Sequence, residues 1–306
     1  MADTLLALSG LSKRFGDVLA LDDLTLDVSR GEVVGLLGPN GAGKTTAIRL
    51  ALGLAVPTAG SVRLFGRSPR EAAARAGLGY LPGELALDPR LDGHAMLALN
   101  ARLHAPGDAP PDATRVGELC ERLGLSHADL SRPVRDDSSG TRQKLGLVAA
   151  WQHDPELLLL DEPTNALDPL VREAVFELLR EAAAAGKAVL HSSHVLSEVD
   201  RSCNSVAVLR GGRLVERGSV SELRRRLTRH MLVRFRGAPP VAALSAAGAV
   251  ILERDGARLV LQVAGALDPL LAVLASHPVD ELAFPEPDLS AAFAHWYGDA
   301  AREARS

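Results

Sequence analysis

Aromatic side chains are scarce in this chain of 306 residues, and cysteines are scarcer still. Only 3% of the residues are Phe, Trp or Tyr although 47% are hydrophobic, so a core must consist mainly of Ala, Leu and Val. The two cysteines, Cys120 and Cys203, belong to no CxxC or Cys/His cluster. Their placement argues against a zinc site and a disulfide framework, and it favours a reducing compartment.

Long apolar runs and a surplus of basic residues are also missing. No run approaches the roughly 20 apolar residues that cross a bilayer, and Met1–Gly10 lacks the basic and apolar regions of a signal peptide. The formal net charge of −4 argues against nucleic-acid binding driven by attraction to phosphates. We therefore predict a cytoplasmic chain with no nucleic-acid partner, for which another chain would have to supply any membrane span.

Strand and helix patterns alternate along the first two thirds of the sequence. Glu32–Leu37, Leu157–Leu160 and Lys187–His191 are short apolar runs typical of buried strands. Helical patterns separate them, one of which starts at Lys44 and extends to about Ala55. This alternation predicts an α/β fold with a mostly parallel sheet that is covered on both faces.

The basic segment Ser221–Arg229 is the candidate domain boundary. We predict a large domain over residues 1–222, with a helical subdomain at about 84–155, and a small α+β domain over 223–306. In the small domain a helix is expected at Asp288–Tyr297, with Leu289, Phe293, Trp296 and Tyr297 on one face. That face could pack on its own domain or contact a partner chain.

A phosphate-binding loop follows the first buried strand. The sequence GPNGAGKT matches GxxxxGK[ST] between a strand and a helix, where glycines let backbone N–H groups converge on a phosphate chain. Lys44 would reach the β- and γ-phosphates, and the Thr45 hydroxyl would bind Mg2+. The residues assigned to nucleotide binding here are Gly38, Pro39, Asn40, Gly41, Ala42, Gly43, Lys44, Thr45 and Thr46.

Two acidic residues end the apolar run LLLLDE. Asp161 falls at the carboxyl end of a buried strand, where a parallel sheet presents its ligands, and it would hold Mg2+. Glu162 would polarise the attacking water as general base. An isolated acidic pair at this place would more often cap a helix, but the upstream phosphate loop favours the catalytic interpretation.

With these motifs the stretch from Leu6 to Val220 resembles the ATP-binding subunits of ABC transporters, which are P-loop NTPases. The resemblance implies that Phe15 stacks on adenine and that His194 contacts the γ-phosphate, with His191 as the alternative histidine. In the family a signature loop precedes the metal carboxylate, and here Ser138, Ser139, Gly140 and Thr141 occupy its place. That loop is expected to close the ATP site of the opposite subunit, so that two chains enclose two ATP molecules.

The sequence departs from the family pattern at two positions. Gly83 stands where a glutamine usually touches Mg2+, so that either water or Glu84 would have to replace it. Asp137 stands where an apolar residue is common, and we expect Asp136 and Asp137 to place negative charge beside a phosphate site. Arg135 and Arg142 are the cations that could compensate.

The resemblance also implies partners and a location. It predicts a homodimer bound to a separate membrane permease at the inner face of the cell membrane, with residues around 83–103 touching the permease. The stretch LPGELALDPRL resembles the subunits of drug and antibiotic exporters. A soluble ABC-type ATPase without a permease is the alternative, and a P-loop kinase or GTPase is a third class.

Overall fold

The computed structural model describes residues 3–104, 112–226, 229–263 and 267–285. Contacts divide the chain into two compact units, Met1–Val220 and Ser221–Ser306. Among the described residues no helix is long and apolar enough to cross a bilayer.

The first unit opens with two long strands that no sequence pattern indicated. It comprises β1 (Thr4–Phe15), β2 (Val18–Ser29), β3 (Val33–Leu37), α1 (Lys44–Ala51), β4 (Ala59–Leu64), α2 (Ala72–Arg75), β5 (Leu78–Leu81), α3 (Gly93–His104), α4 (Ala113–Arg122), α5 (His127–Leu130), a 3-10 turn (Val134–Asp136), α6 (Ser139–Trp151), β6 (Leu157–Leu160), α7 (Pro169–Ala184), β7 (Ala188–Ser193), α8 (Leu196–Ser202), β8 (Ser205–Arg210) and β9 (Arg213–Ser219).

A six-stranded sheet in the order β5-β6-β7-β3-β8-β9 forms the centre of this unit, and all its pairs are parallel except β8–β9. Every residue of β3 and β6 is buried, as expected for strands covered on both faces. Along β6, Leu157 and Leu159 pack into one core with α1 and the antiparallel sheet β2-β1-β4. Leu158 and Leu160 point to the opposite face and pack with the helical segments α3–α7.

Two predicted element ends are wrong, and each has a local cause. Helix α1 ends at Ala51 rather than near Ala55 because the chain turns at Gly53, which has a φ of 71°. Strand β7 continues to Ser193 rather than ending at His191, because Ser192 and Ser193 are buried beside β3. The extension places His194 at the strand end.

The second unit contains α9 (Val220–Arg226), β10 (Arg229–Phe235), α10 (Val241–Ala246), β11 (Ala249–Asp255), β12 (Arg258–Val263), α11 (Asp268–Ala275) and β13 (Val279–Ala283). Its strands form an antiparallel sheet in the order β11-β12-β10-β13. Its apolar core includes Met231, Val233 and Leu261 from the sheet and Leu270 from α11. The predicted helix Asp288–Tyr297 lies outside the described residues.

Candidate functional site

A cavity of about 640 Å3 opens at the carboxyl end of the parallel strands. Most of the predicted residues of one half-site line it: Phe15, Pro39, Asn40, Gly41, Ala42, Gly43, Lys44, Thr45, Thr46, Asp161, Glu162 and His194. Gly38 contributes its carbonyl group, which accepts a hydrogen bond from Lys44 at 2.6 Å. Strands β3, β6 and β7 therefore bring together side chains that are more than 100 residues apart in sequence.

At one residue of the loop before α1, the backbone adopts a conformation that only glycine tolerates. Gly43 has a φ of 106°, and a Cβ there would lie 2.6 Å from the carbonyl oxygen of Ala20. Helix α1 starts directly after it, and no acidic residue of its own first turn offsets the positive end of the helix at the cavity. The loop can accept an anion by this geometry alone.

Lys44 supplies a cation that is only 6% exposed. Its Nζ donates to the carbonyl oxygens of Gly38 at 2.6 Å and Pro39 at 3.3 Å. It also lies 3.4 Å from Oε1 of Glu162. The ammonium group is thus held between the phosphate loop and the acidic pair. There it would neutralise part of the negative charge of a bound polyphosphate.

The carboxylate of Asp161 is fixed by a hydroxyl group from the neighbouring strand. Asp161 is 1% exposed, and its Oδ1 accepts a hydrogen bond from Ser192 Oγ at 2.6 Å. Thr45 is exposed in the same cavity. A carboxylate and a hydroxyl are the hard oxygen donors that suit Mg2+ together with phosphates and water. No cluster of three or more His, Cys, Asp or Glu side chains that could hold a metal occurs in the ranges that the structure describes.

Glu162 contacts two of the other predicted catalytic residues. Its Oε2 lies 2.8 Å from His194 Nδ1, and its Oε1 faces Lys44. An ionised carboxylate only accepts hydrogen bonds, so this geometry selects the tautomer of His194 that carries a proton on Nδ1. The carboxylate is therefore anchored at both oxygens beside the phosphate loop, as a general base needs to be.

The alternative histidine is structural. His191 is buried in β7, where its Nε2 lies 3.1 Å from Ser202 Oγ and 2.9 Å from Cys203 Sγ. Burial lowers its pKa to about 4, so the ring is neutral at physiological pH. It does not line the cavity, whereas His194 does.

Phe15 ends β1 with 52% of its surface exposed beside Val18 and Leu19, which also line the cavity. Lys13 Nζ lies 4.7 Å from the ring centroid. An exposed ring in an apolar part of a cavity offers a stacking surface for a nucleobase. The exposure of the ring is compatible with the predicted role of Phe15, which stays a prediction.

The predicted signature residues lie apart from the cavity. Ser138 caps α6, and its Oγ accepts a hydrogen bond from the Thr141 amide at 3.0 Å. Ser138 and Ser139 are exposed, while Gly140 packs so close to the loop after β6 that a Cβ would lie 2.9 Å from the Ala166 carbonyl oxygen. One chain therefore presents a nucleotide cavity and a separate exposed loop.

The effect of Asp137 on a phosphate site stays a prediction, but its carboxyl group is not exposed beside the signature loop. Its side chain is 1% exposed and points into the protein, where Oδ1 has no hydrogen-bond partner among the described residues and lies 3.8 Å from Arg132. Burial raises the pKa of this carboxyl group. Arg135 pairs with Asp136 instead, and Arg142 donates to the Asp137 backbone carbonyl. Asp137 is therefore buried like an apolar residue.

Gly83 lies close to the carboxylate of Asp161. A Cβ at Gly83 would lie 3.1 Å from Asp161 Oδ2, and both Gly83 and Glu84 line the cavity. Tyr80, which sequence reasoning missed, lines it as well, and its pKa is raised by burial and by the charge of Asp161. Ser192 was also missed, although its place after the apolar part of β7 was a usable signal.

Comparison with known proteins identifies the family of this chain. The family model described as ABC transporter matches residues 21–165. The chain is 38% identical to the daunorubicin resistance ATP-binding protein DrrA3 of Streptomyces coeruleorubidus, over 98% of both chains. It is 37% identical to the bacitracin transport ATP-binding protein BcrA of Enterococcus faecalis, over 71% of this chain and 70% of the relative.

Solved structures agree with the fold. An ATP-binding subunit of an ABC transporter is 31% identical, with a TM-score of 0.65 over 72% of this chain and 92% of that structure. A cassette solved as a dimer with ADP and phosphate has a TM-score of 0.64 at 22% identity, over 70% of this chain and 98% of that one.

Proposed function

The chain belongs to the ABC transporter family of ATP-binding proteins, and we propose that it hydrolyses ATP to drive export through a separate membrane permease. The single observation that carries the proposal is the contact of Glu162 with both Lys44 and His194 inside the phosphate-loop cavity. A base held between a phosphate-binding cation and a histidine suits attack of water on a terminal phosphate.

Each residue then has one task. The loop amides and Lys44 bind the phosphates, and Phe15 stacks on the adenine. Asp161 and Thr45 would hold Mg2+, which supplies positive charge to the phosphates when bound. Glu162 accepts a proton from the attacking water at a carboxylate oxygen, while His194 keeps that carboxylate in place.

The exposed signature loop supports a dimer. Ser138–Thr141 lie outside the chain's own cavity and present a helix N-terminus with exposed serine hydroxyl groups. A second copy of the chain would place this loop over the γ-phosphate of the first. One structural relative is named as a dimeric cassette bound to ADP and phosphate, which supports a dimer. We therefore propose a homodimer with two composite sites.

The proposed role in export rests on the names of the relatives. Their names refer to daunorubicin resistance, bacitracin transport and Nod factor export. The permease would be a separate chain, and this subunit would work at the inner face of the membrane. The alternative is a soluble ABC-type ATPase that acts without a permease. A P-loop kinase or GTPase is disfavoured by the signature loop Ser138–Thr141 together with Glu162, and the sequence contains no guanine-reading motif.

ATP turnover with Mg2+ tests the enzymatic part. We expect Glu162→Gln to bind ATP with unchanged affinity but to lose turnover by on the order of 10²–10⁴-fold, because the amide cannot accept the proton. Lys44→Ala should lose ATP binding. Glu173→Gln is the matched control, because that carboxylate is exposed on α7 and pairs with Arg201, away from the cavity. Full turnover by Glu162→Gln would remove Glu162 as the base.

Affinity purification of the tagged chain from detergent-solubilised membranes tests the transport part. A stoichiometric integral membrane protein in the complex, retained in the Glu162→Gln variant, is the expected result. Recovery of the active ATPase only from the soluble fraction, without a membrane partner, would favour the soluble ABC-type alternative.

A further inference from the structure

Gln143 joins the helix that carries the signature loop to the turn that carries Glu162. It lies in the second turn of α6 and is only 6% exposed. Its Nε2 donates to the backbone carbonyl oxygens of Glu162 at 3.2 Å and Pro163 at 3.0 Å. The side chain does not line the nucleotide cavity. Gln143 therefore contacts the backbone of Glu162 and makes no hydrogen bond with its carboxylate.

The backbone that Gln143 contacts is strained. Glu162 has a φ of 52°, in the left-handed region that residues with a Cβ rarely adopt. Such a conformation persists only where surrounding groups hold it. The N–H group of Glu162 donates to Ser192 Oγ at 2.9 Å, and its carbonyl oxygen accepts from Gln143 and from the Asn165 amide at 3.1 Å. Both peptide groups of the base are thus fixed, one by β7 and the other by α6.

A second contact links the same two segments. Gly140, in the first turn of α6, packs against the Ala166 carbonyl oxygen without room for a Cβ. Ala166 is itself left-handed, with a φ of 61°. Helix α6 therefore contacts both left-handed residues of the turn after β6, Glu162 and Ala166. Its N-terminus, capped by Ser138, is the exposed loop that the proposed dimer uses.

We propose that Gln143 is a positioning residue that orients Glu162 for catalysis by holding its left-handed backbone against the signature helix. This inference rests on the proposed function, because it assigns the orientation of a base. Helix α6, which would close the ATP site of the partner subunit, would thus also orient Glu162 in the ATP site of its own chain through Gln143. Removal of the amide should lower kcat and leave ATP affinity unchanged, because no contact with the nucleotide is lost.

Gln143→Leu is the test, with Gln152→Leu as its control. Gln152 caps the other end of α6, is 3% exposed and donates to the Leu97 carbonyl oxygen at 3.1 Å and to Asn100 Oδ1 at 2.8 Å. Both substitutions remove two buried hydrogen bonds, but only the first touches the base. We expect kcat to fall on the order of 10- to 100-fold in Gln143→Leu. We expect it to stay within about twofold in Gln152→Leu.

The same substitutions in a Glu162→Gln background separate positioning from general damage. If Gln143 acts through the carboxylate, Gln143→Leu should cause no further loss of the residual turnover, measured as slow phosphate release. An equal loss in both backgrounds, or an unchanged kcat in the wild-type background, would overturn the proposal. Should Gln143→Leu fail to fold by circular dichroism, Gln143→Met has nearly the same length and cannot donate, and the same outcomes apply.

Failure of the inference is distinguishable from failure of the proposed function. If Glu162→Gln alone keeps full turnover, Glu162 is not the base and the proposed mechanism is wrong. If Glu162→Gln is inactive while Gln143→Leu and Gln143→Met keep wild-type kcat, only the positioning role is wrong.

Discussion

The exposed ring of Phe15 makes a contact that a single substitution can isolate. Phe15→Ala removes the stacking surface at the edge of the cavity while leaving the phosphate loop intact. Stacking of a base on an aromatic ring contributes about 1–3 kcal/mol, so we expect KM for ATP to rise at least about fivefold with little change in kcat. Phe15→Trp keeps an aromatic ring at this position, so its KM for ATP should stay close to the wild-type value. Steady-state kinetics checks this, and Val215→Ala, which shortens an exposed apolar side chain on β9 outside the cavity, is the control.

The buried carboxyl group of Asp137 predicts a dependence of stability on pH. Because its pKa is raised in the folded state, the native protein holds this proton more tightly than the unfolded chain. The free energy of unfolding therefore loses a contribution as pH rises from the unfolded pKa of 3.8 through the higher folded value.

Asp137→Asn cannot ionise, so it should raise the free energy of unfolding at pH 7 by on the order of 1 kcal/mol. The gain should shrink as pH falls towards the unfolded pKa. Denaturant titrations at several pH values measure it. The exposed neighbour provides the control, since Asp136→Asn should change stability little. A destabilised Asp137→Asn at neutral pH would contradict the account.

Motif spacing predicted the side chains that face the cavity but not those that support them. The roles proposed for Lys44, Asp161 and Glu162 require a fixed residue type at a fixed distance along the chain. Gln143 instead binds backbone carbonyl groups, and Ser192 binds the Glu162 N–H group and the Asp161 carboxylate. Many polar side chains can make such contacts, so no motif marks these two residues. The sequence also did not predict that the Asp137 side chain points into the protein. The spacing of motif residues along the chain does not determine the direction of a side chain that precedes a helix cap.

At the scale of elements, continuous apolar runs were the reliable signal. Strands β3 and β6 were predicted from such runs because parallel strands bury both faces. The hairpin of β1 and β2 was missed because Gly10, Gly16 and the pair Asp22-Asp23 interrupt the alternation. The structure accommodates them with register shifts and with left-handed conformations at Gly10, Gly16 and Asp23.

Two glycines in regular elements should respond to the same substitution with opposite signs. Gly35 lies in the central strand β3, where a Cβ would lie 2.6 Å from Val199 Cγ1 and 2.9 Å from Cys203 Sγ. Gly35→Ala should therefore lower the free energy of unfolding by about 1–3 kcal/mol. Gly117 lies inside α4, where an added Cβ would meet no atom within 4 Å among the described residues. Gly117→Ala should therefore raise the free energy of unfolding by about 0.5–1 kcal/mol.

Thermal or denaturant unfolding of the two variants checks these signs. Gly35→Ala and Gly117→Ala add the same methyl group, so each is the control for the other. An unchanged stability in Gly35→Ala would mean that α8 packs less closely against β3 than these distances require.

At the scale of the whole molecule, the unit Met1–Val220 carries every residue of the proposed mechanism. The second unit has an antiparallel sheet and an apolar core of its own. The sequence predicted that the large unit contains both halves of a composite site. The structure keeps those halves apart in one chain, because the cavity lies at the ends of the parallel strands and the signature loop lies at the start of α6.

ATP-dependent dimerisation of the Glu162→Gln variant tests this arrangement most directly, by size-exclusion chromatography with light scattering. The account predicts a monomer without nucleotide and a dimer with ATP and Mg2+. Lys44→Ala and Ser138→Arg should each abolish the dimer, whereas Ser61→Arg, at an exposed position on β4, should not. A variant that binds ATP and remains monomeric would contradict the claim that two copies of this chain complete each other's sites.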